Sequence, residues 1–138
     1  MSEAILFYSY SGTTRRWAEK HASETGADLF EVKPMKPYRF FSAILPGCPQ
    51  AARGKEVPVI VPDADLAAYD ALTVAGPIWA GHPAPPLNSI IALLPEGKNV
   101  TLVILSGRGD YDPVRAKKQI AERGCRLAGL VNVEHRDV

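Results

Sequence analysis

Cysteine is scarce in this chain of 138 residues, and long apolar runs are absent. The two cysteines, Cys48 and Cys125, lie far apart and have no metal-ligand spacing. This pattern argues against a cysteine-rich zinc site and favours two reduced thiols in a cytoplasmic protein, with one disulfide as the alternative. Proline, glycine or charge interrupts every apolar run well before the ~20 residues that a membrane helix needs. The first run, residues 4–8, is too short for a signal peptide, so we expect a cytoplasmic location.

An excess of charge of either sign is also missing. The chain has 16 Lys and Arg residues against 15 Asp and Glu residues, which gives a formal net charge of +1. This balance gives no reason to expect nucleic acid or an anionic membrane surface as a partner. The apolar share of 46% allows a sizeable core, and the length fits a single domain covering residues 1–138.

Several familiar functional motifs are absent. No lysine completes a glycine-rich loop of the kind that nucleoside triphosphatases use. Gly107 and Gly109 match the first two glycines of the G-x-G-x-x-G dinucleotide-binding fingerprint. The third glycine is missing, since Asp112 occupies its position. No histidine belongs to a metal-binding or catalytic motif. The sequence therefore disfavours a nicotinamide-binding Rossmann domain and a hydrolase with a catalytic triad.

Five short apolar segments predict buried β-strands, and they alternate with helical patterns. Such alternation indicates an α/β fold in which helices cover both faces of a parallel sheet. The predicted strands cover residues 4–8, 29–32, 70–75, 99–105 and 130–133. The predicted helices cover residues 14–25, a segment that begins at Pro85 and Pro86, and a segment from Asp112 and Pro113 to about Arg123. In the second helix, four apolar residues at helical spacing predict a core-facing stripe: Leu87, Ile90, Ile91 and Leu94.

The segment 33–56 is the least regular part of the sequence, with four prolines. We expect a short helix around residues 39–45, and its function stays open. Residues 57–61 extend a strand or pack at the sheet edge, and residues 63–69 predict a short helical turn.

Three polar, glycine-containing loops follow the first, third and fourth predicted strands. In a doubly wound sheet, ligands bind beyond the carboxyl ends of the strands where the strand order reverses, so these loops should converge. The first loop, residues 9–14, offers hydroxyls and backbone N–H groups at a helix N-terminus, which suits a phosphate monoester. A polar turn with a helix cap is the alternative. Arg15 and Arg16 in the next helical turn are expected on a solvated helix face.

The second and third loops offer groups for a planar ligand. Trp79 in the second loop, residues 77–81, can stack on a flat ring, or it can belong to the core. The third loop, residues 106–110, offers flexible backbone donors, and its Asp110 can simply pair with Arg108. Tyr111 is a second candidate for ring stacking.

The first two loops resemble motifs of the flavodoxin family. Residues 9–14, Ser-Tyr-Ser-Gly-Thr-Thr, resemble the flavodoxin phosphate loop, a T/S-x-T/S-G-x-T pattern after the first strand. Residues 76–81, Gly-Pro-Ile-Trp-Ala-Gly, look like the Pro-Ile-Trp loop of flavodoxin-like proteins. Shorter likenesses occur at Pro37-Tyr38, Asp65-Leu66 and Tyr69-Asp70. The resemblance extends from Ile5 to about Asp110.

The resemblance implies a flavodoxin-like, doubly wound sheet of five parallel strands in the order 2-1-3-4-5. It also implies non-covalently bound flavin mononucleotide (FMN), which carries the redox change, and no residue that acts as a catalytic acid or base. The implied cofactor-binding residues are Ser9, Tyr10, Ser11, Gly12, Thr13 and Thr14 in the first loop, Pro77, Ile78, Trp79, Ala80 and Gly81 in the second, and Ser106, Gly107, Arg108, Gly109 and Asp110 in the third.

The chain departs from the flavodoxin pattern in three ways. Electron-transfer flavodoxins are typically strongly acidic, whereas this chain is nearly neutral. The helix that usually follows the last strand is missing, which predicts an exposed sheet face and a homodimer or another partner. The third loop also fits the pattern less well than the other two.

Three functions fit these observations. The first is an FMN-binding protein that carries electrons between partner proteins. The second is an FMN-dependent reductase that uses NADH or NADPH to reduce quinones or similar small acceptors. The third is a binding module that has kept the fold without the flavin, and the fold alone does not decide among them.

Overall fold

The computed structural model describes residues 2–39, 43, 47–79, 81–106 and 113–138. Its strands are β1 Glu3–Phe7, β2 Asp28–Glu31, β3 Lys33–Pro34, β4 Val59–Ile60, β5 Ala71–Trp79, β6 His82–Pro83, β7 Asn99–Ser106 and β8 Arg126–Glu134. Its α-helices are α1 Thr13–Thr25, α2 Cys48–Ala52, α3 Pro85–Ala92 and α4 Val114–Glu122. Short 3-10 turns cover Leu66–Ala68 and His135–Asp137. No helix in the described ranges has both the length and the apolarity to cross a membrane.

The main sheet has the order β2-β1-β5-β7-β8, and these five strands run parallel. Counted as the parallel strands alone, this is the order 2-1-3-4-5, so the predicted doubly wound topology is confirmed. The short β6 adds to the end of β5 in the antiparallel direction. β3 and β4 form a separate two-stranded antiparallel sheet.

Helices cover both faces of the sheet, as a parallel sheet requires. One apolar cluster lies under α3 and α4, and the predicted stripe is confirmed there because its four side chains are buried: Leu87, Ile90, Ile91 and Leu94. The other cluster lies under α1, where Ala18 packs with Ile5 and Phe7 of the first strand. Both clusters fix the strands whose ends carry the loops of interest.

The structure corrects several predicted boundaries. β5 continues to Trp79 instead of ending at Ala75, because its end pairs with β6 to form a hairpin. β8 begins at Arg126 instead of Leu130, since its pairing with β7 continues past an irregularity next to Val100. The predicted helix at residues 39–45 and the predicted helix start at Asp112 fall largely outside the described residues. The short α2 was not predicted.

The outer strand β8 carries two exposed apolar residues. No α-helix follows β8 in the described chain, as predicted, and a 3-10 turn takes its place. Leu130 and Val131 are 39% and 42% exposed, whereas Val103 and Leu105 on the neighbouring β7 are buried. Among the described parallel strands, the exposed large apolar side chains therefore belong to the outer strand β8. The predicted dimer stays a prediction.

Candidate functional site

The carboxyl ends of β1, β5 and β7 lie side by side, so the predicted loops start from one edge of the sheet. The backbone N–H of Tyr8 donates to the carbonyl of Ala75 at 3.1 Å, which ties the first loop to β5. Pro77 pairs in register with Leu105, one residue before β7 ends. The three loops therefore begin within one or two strand spacings of each other.

The first loop is shaped by a glycine and a serine hydroxyl. Gly12 precedes α1 with a φ of 95°, a left-handed conformation that costs energy for residues with a side chain. The Ser9 Oγ accepts hydrogen bonds from the backbone N–H groups of Gly12 at 3.1 Å and Arg15 at 3.3 Å. Ser9 therefore holds the loop from inside, against the start of α1.

The remaining polar groups of this loop are available to a ligand. The Ser11 and Thr13 hydroxyls lie 3.3 Å apart. The backbone N–H groups of Thr13 and Thr14 lie in the first turn of α1, where no carbonyl of the same helix can accept from them. Neither forms a backbone hydrogen bond within the described chain. Hydroxyls and N–H groups at the positive end of a 13-residue helix are the groups that bind phosphate.

The two arginines of the first helical turn have different surroundings. Arg15 forms a bidentate pair with Glu31 at the end of β2, at 2.6 and 3.1 Å, so its charge is already neutralised. Arg16 instead donates from Nη2 to the Thr13 Oγ1 at 3.4 Å. Arg16 is exposed, as expected for a solvated helix face, and its guanidinium also lies beside the first loop. Arg15 is only half-exposed because it pairs with Glu31.

Trp79 lies in a cluster of tyrosines at the end of β5. Its ring centroid is 6.1 Å from that of Tyr8, 5.5 Å from that of Tyr10 and 5.0 Å from that of Tyr38. All three pairs are nearly perpendicular, with interplanar angles of 80° to 88°, which is a favourable aromatic geometry. Three contacts hold the Trp79 ring in a defined orientation beside the first loop.

The environment raises the pKa of two of these phenols. Burial raises the pKa of Tyr8 well above its ordinary value, and nearby Tyr38 and Tyr10 raise it further. Burial also raises the pKa of Tyr38, whose hydroxyl donates to the Gln50 Oε1 at 2.7 Å. The cluster therefore offers neutral aromatic surface next to the cationic and hydroxyl groups of the first loop.

The hairpin after Trp79 brings further backbone to this edge. Gly81 has a φ of 76° and is exposed, and no atom lies within 4 Å of where a Cβ would stand. The backbone there is open to a ligand. The Nδ1 atom of His82 is buried, and it has no hydrogen-bond partner among the described residues. No sequence motif includes His82, and its Nδ1 is an unpaired polar atom in the hairpin that follows Trp79.

Part of the predicted site lies outside the described residues: Ala80, Gly107, Arg108, Gly109, Asp110 and Tyr111. Ser106 is described at the end of β7, where it is buried and its Oγ lies 3.3 Å from the Asn132 Oδ1 of β8. The structure thus brings the first loop and the Trp79 hairpin together and places Ser106 at the same sheet edge.

A pocket of about 330 Å³ opens beside the first loop. Tyr8, Ser9 and Tyr10 form one side, and the residues after β2 form the other, including Tyr38. Sequence reasoning did not place Tyr8 or Tyr38 in the site. The Pro37-Tyr38 pair was the one sequence signal that pointed to Tyr38, because this pair is part of the resemblance to the flavodoxin family.

The sequence itself matches no protein-family model and no curated protein. Solved structures do match over almost the whole chain, each with 22% sequence identity. A flavoprotein from Lactobacillus acidophilus NCFM, solved in complex with FMN, gives a TM-score of 0.79 and covers 95% of this chain and 92% of its own.

Two further structures agree with this result. A proposed flavoprotein from Bacteroides eggerthii DSM 20697 gives a TM-score of 0.75, with 98% and 91% of the two chains covered. A proposed flavoprotein from Bacteroides uniformis ATCC 8492 gives 0.74, with 95% and 90% covered. At this identity the likeness establishes the fold, which is flavodoxin-like as the strand order indicated.

Proposed function

We propose that this protein binds FMN non-covalently at the edge formed by β1, β5 and β7 and uses it to transfer electrons. The observation that carries the proposal is the loop before α1. Its free N–H groups and the Ser11 and Thr13 hydroxyls lie at the N-terminus of α1, which is the positive end of the helix. Trp79 lies one strand away, within reach of the ring of a ligand whose phosphate occupies the loop.

The fit of FMN to this edge rests on several features of the chain. Gly12 keeps the loop open in a left-handed turn, and the Arg16 guanidinium adds a positive charge beside Thr13. The buried Nδ1 of His82 and the exposed backbone at Gly81 offer polar groups near Trp79. One structural neighbour is itself an FMN complex, which supports the same cofactor here.

When bound, FMN supplies reversible one- and two-electron chemistry. The residues of the protein would bind and orient it. The loop would hold the phosphate, and the tyrosines around Trp79 would shield one side of the site from water. The neutral state of Tyr8 and Tyr38 makes them unsuited to act as bases at neutral pH. We assign electron transfer to partner proteins as the function, since the flavin itself would carry the redox change without a catalytic acid or base.

Reduction of a small acceptor is the second candidate. A reductase needs space for a second molecule beside the flavin, and a pocket of about 290 Å³ lined by Gln50, Val57 and Pro58 shares no residue with the first loop. The nearly neutral net charge also gives no strong field for docking to a basic redox protein.

The assignment of the first loop to the FMN phosphate is tested with a double variant, Ser11→Ala with Thr13→Val, which is titrated with FMN. We expect FMN affinity to fall strongly, since two hydroxyl donors to the phosphate are lost. The matched control is Thr25→Val at the other end of α1, where the hydroxyl bonds the His21 carbonyl. If both variants bind FMN as the natural protein does, the phosphate does not occupy this loop.

The two candidate roles are separated by adding NADH or NADPH to the FMN-loaded protein without oxygen. A carrier keeps the oxidised flavin spectrum until a partner protein supplies electrons. Rapid loss of the visible flavin absorbance would contradict the carrier role and support the reductase.

A further inference from the structure

A groove with apolar walls lies next to the candidate FMN site. The pocket of about 330 Å³ adjoins a second one of about 290 Å³, and the two share four lining residues: Pro34, Met35, Pro37 and Tyr38. We call these two adjoining pockets together the Pro34–Tyr38 groove. The second pocket is closed on its other side by Gln50, Val57 and Pro58.

Specific contacts hold the walls of the groove in place. Tyr38 is fixed at its hydroxyl by Gln50 and at its ring by Trp79. Opposite it, the Ser89 Oγ of α3 donates to the Val57 carbonyl at 2.7 Å and accepts from the Val57 N–H at 2.8 Å. These bonds tie the groove to the sheet and to α3, so the space is preformed.

The charges along the groove have one sign after pairing. Arg15 and Glu31 line it and neutralise each other. Lys33 and Lys36 also line it, and neither ammonium group has an ion-pair or hydrogen-bond partner in the described part of the chain. The described lining therefore carries two unpaired positive charges at the rim of an aromatic and proline-lined space.

The volume indicates the size of the occupant. A dry cavity of about 150 Å³ accommodates one benzene ring. Each half of the groove, at about 290 and 330 Å³, is roughly twice that size. Flat rings fit between tyrosine and proline side chains, and an anionic group complements the two lysines.

We propose that the Pro34–Tyr38 groove is a binding site for a planar aromatic anion of about two fused rings, such as an aromatic carboxylate. Such a ligand lies one tyrosine ring away from Trp79. The half of the groove that is closed by Gln50, Val57 and Pro58 shares no residue with the loop assigned to the FMN phosphate. The aromatic anion is assigned to that half, and its binding does not depend on the flavin.

The test measures binding of 2-naphthoate and of its neutral analogue 2-naphthamide by calorimetry, with and without FMN. We expect naphthoate to bind more tightly than naphthamide. We also expect Lys33→Gln combined with Lys36→Gln to weaken naphthoate binding by about fivefold, as loss of two exposed charge pairings implies. Naphthamide affinity should not change. The control Lys20→Gln, on an exposed position of α1, should affect neither probe.

A second variant checks the aromatic wall. Tyr38→Leu should weaken both probes, with circular dichroism showing that the fold is kept. Equal affinities for naphthoate and naphthamide, or no binding of either, would overturn the proposal. Competition between naphthoate and FMN would also overturn it, since the groove would then belong to the cofactor site. If the protein binds naphthoate but not FMN, the result contradicts the proposed function and leaves the groove proposal intact.

Discussion

The ring of Tyr38 meets the ring of Trp79 at 84°, with the two centroids 5.0 Å apart. Tyr38 belongs to the irregular segment after β3, and Trp79 ends the central strand β5. Perpendicular aromatic pairs contribute roughly 0.5–1.5 kcal/mol beyond the burial of their area. This contact therefore joins the least regular part of the chain to the edge where the parallel strands end.

Replacing Trp79 by Ala should change both stability and flavin binding. The loss of its contacts with three tyrosines should lower the free energy of unfolding by roughly 2–4 kcal/mol. The visible absorbance spectrum of bound FMN should shift, because the proposed site places the flavin ring beside Trp79. Trp17→Phe in α1 is the control, and its flavin spectrum should match that of the natural protein. An unshifted spectrum in the Trp79 variant would assign Trp79 to the core alone.

Replacing Gly12 by Ala should impair the phosphate loop. A side chain at a φ of 95° costs about 1–2 kcal/mol, which the loop can relieve by changing its shape. We expect weaker FMN binding in titrations that follow flavin fluorescence. Gly26→Ala is the matched control, since Gly26 also has a positive φ but ends the same helix far from the loop. Both variants should lose stability, and equal FMN affinities in the two would contradict the loop assignment.

The hydroxyl of Ser89 should matter for stability. It is buried and bonds both the N–H and the carbonyl of Val57, so Ser89→Ala leaves these backbone groups without their partner. We expect a loss of about 1–3 kcal/mol in the free energy of unfolding, measured in urea. Ser23→Ala, on an exposed position of α1, should change it little. A similarly small loss for Ser89 would mean that water replaces the bonds to Val57.

The environment of Tyr8 predicts a dependence of stability on alkaline pH. In the unfolded chain a tyrosine loses its proton near pH 10, whereas the raised pKa keeps Tyr8 protonated in the folded state. The contribution of Tyr8 to stability is therefore complete below pH 10 and falls as the pH rises above it.

Tyr8→Phe should remove this contribution. Urea unfolding below and above pH 10 should show a shallower loss of stability in Tyr8→Phe than in the natural protein. The tyrosinate absorbance of the two folded proteins should rise in parallel, because folded Tyr8 does not ionise in that range. A difference between the two absorbance curves would show that Tyr8 is accessible to hydroxide.

The helices and strands that depend on the spacing of apolar residues along the chain could be predicted from the sequence. Helical spacing identified the buried stripe of α3, and alternation of apolar strands with helices gave the parallel sheet. The end of β5 was missed because Gly76 and Pro77 are typical of a strand end. The structure accommodates Pro77 because the pairing with β1 has already stopped at Ala75, so no partner there needs its missing N–H.

The groove and the tyrosine cluster depend on contacts between distant residues. β3 pairs with β4, whose sequence is about 25 residues away, and Ser89 reaches back to Val57. Local spacing carries no information on such pairs. The sequence therefore located the first loop and Trp79, whereas the roles of Tyr8, Tyr38 and Arg16 needed the three-dimensional arrangement.

The central claim, that the loop before α1 holds the phosphate of FMN, is tested most directly by comparing FMN with riboflavin, which has the same ring system and no phosphate. We would measure both dissociation constants by fluorescence titration. Two charge-assisted hydrogen bonds at about 1.5 kcal/mol each predict that FMN binds roughly 100-fold more tightly. Equal affinities for the two flavins, or no binding of FMN, would contradict the account.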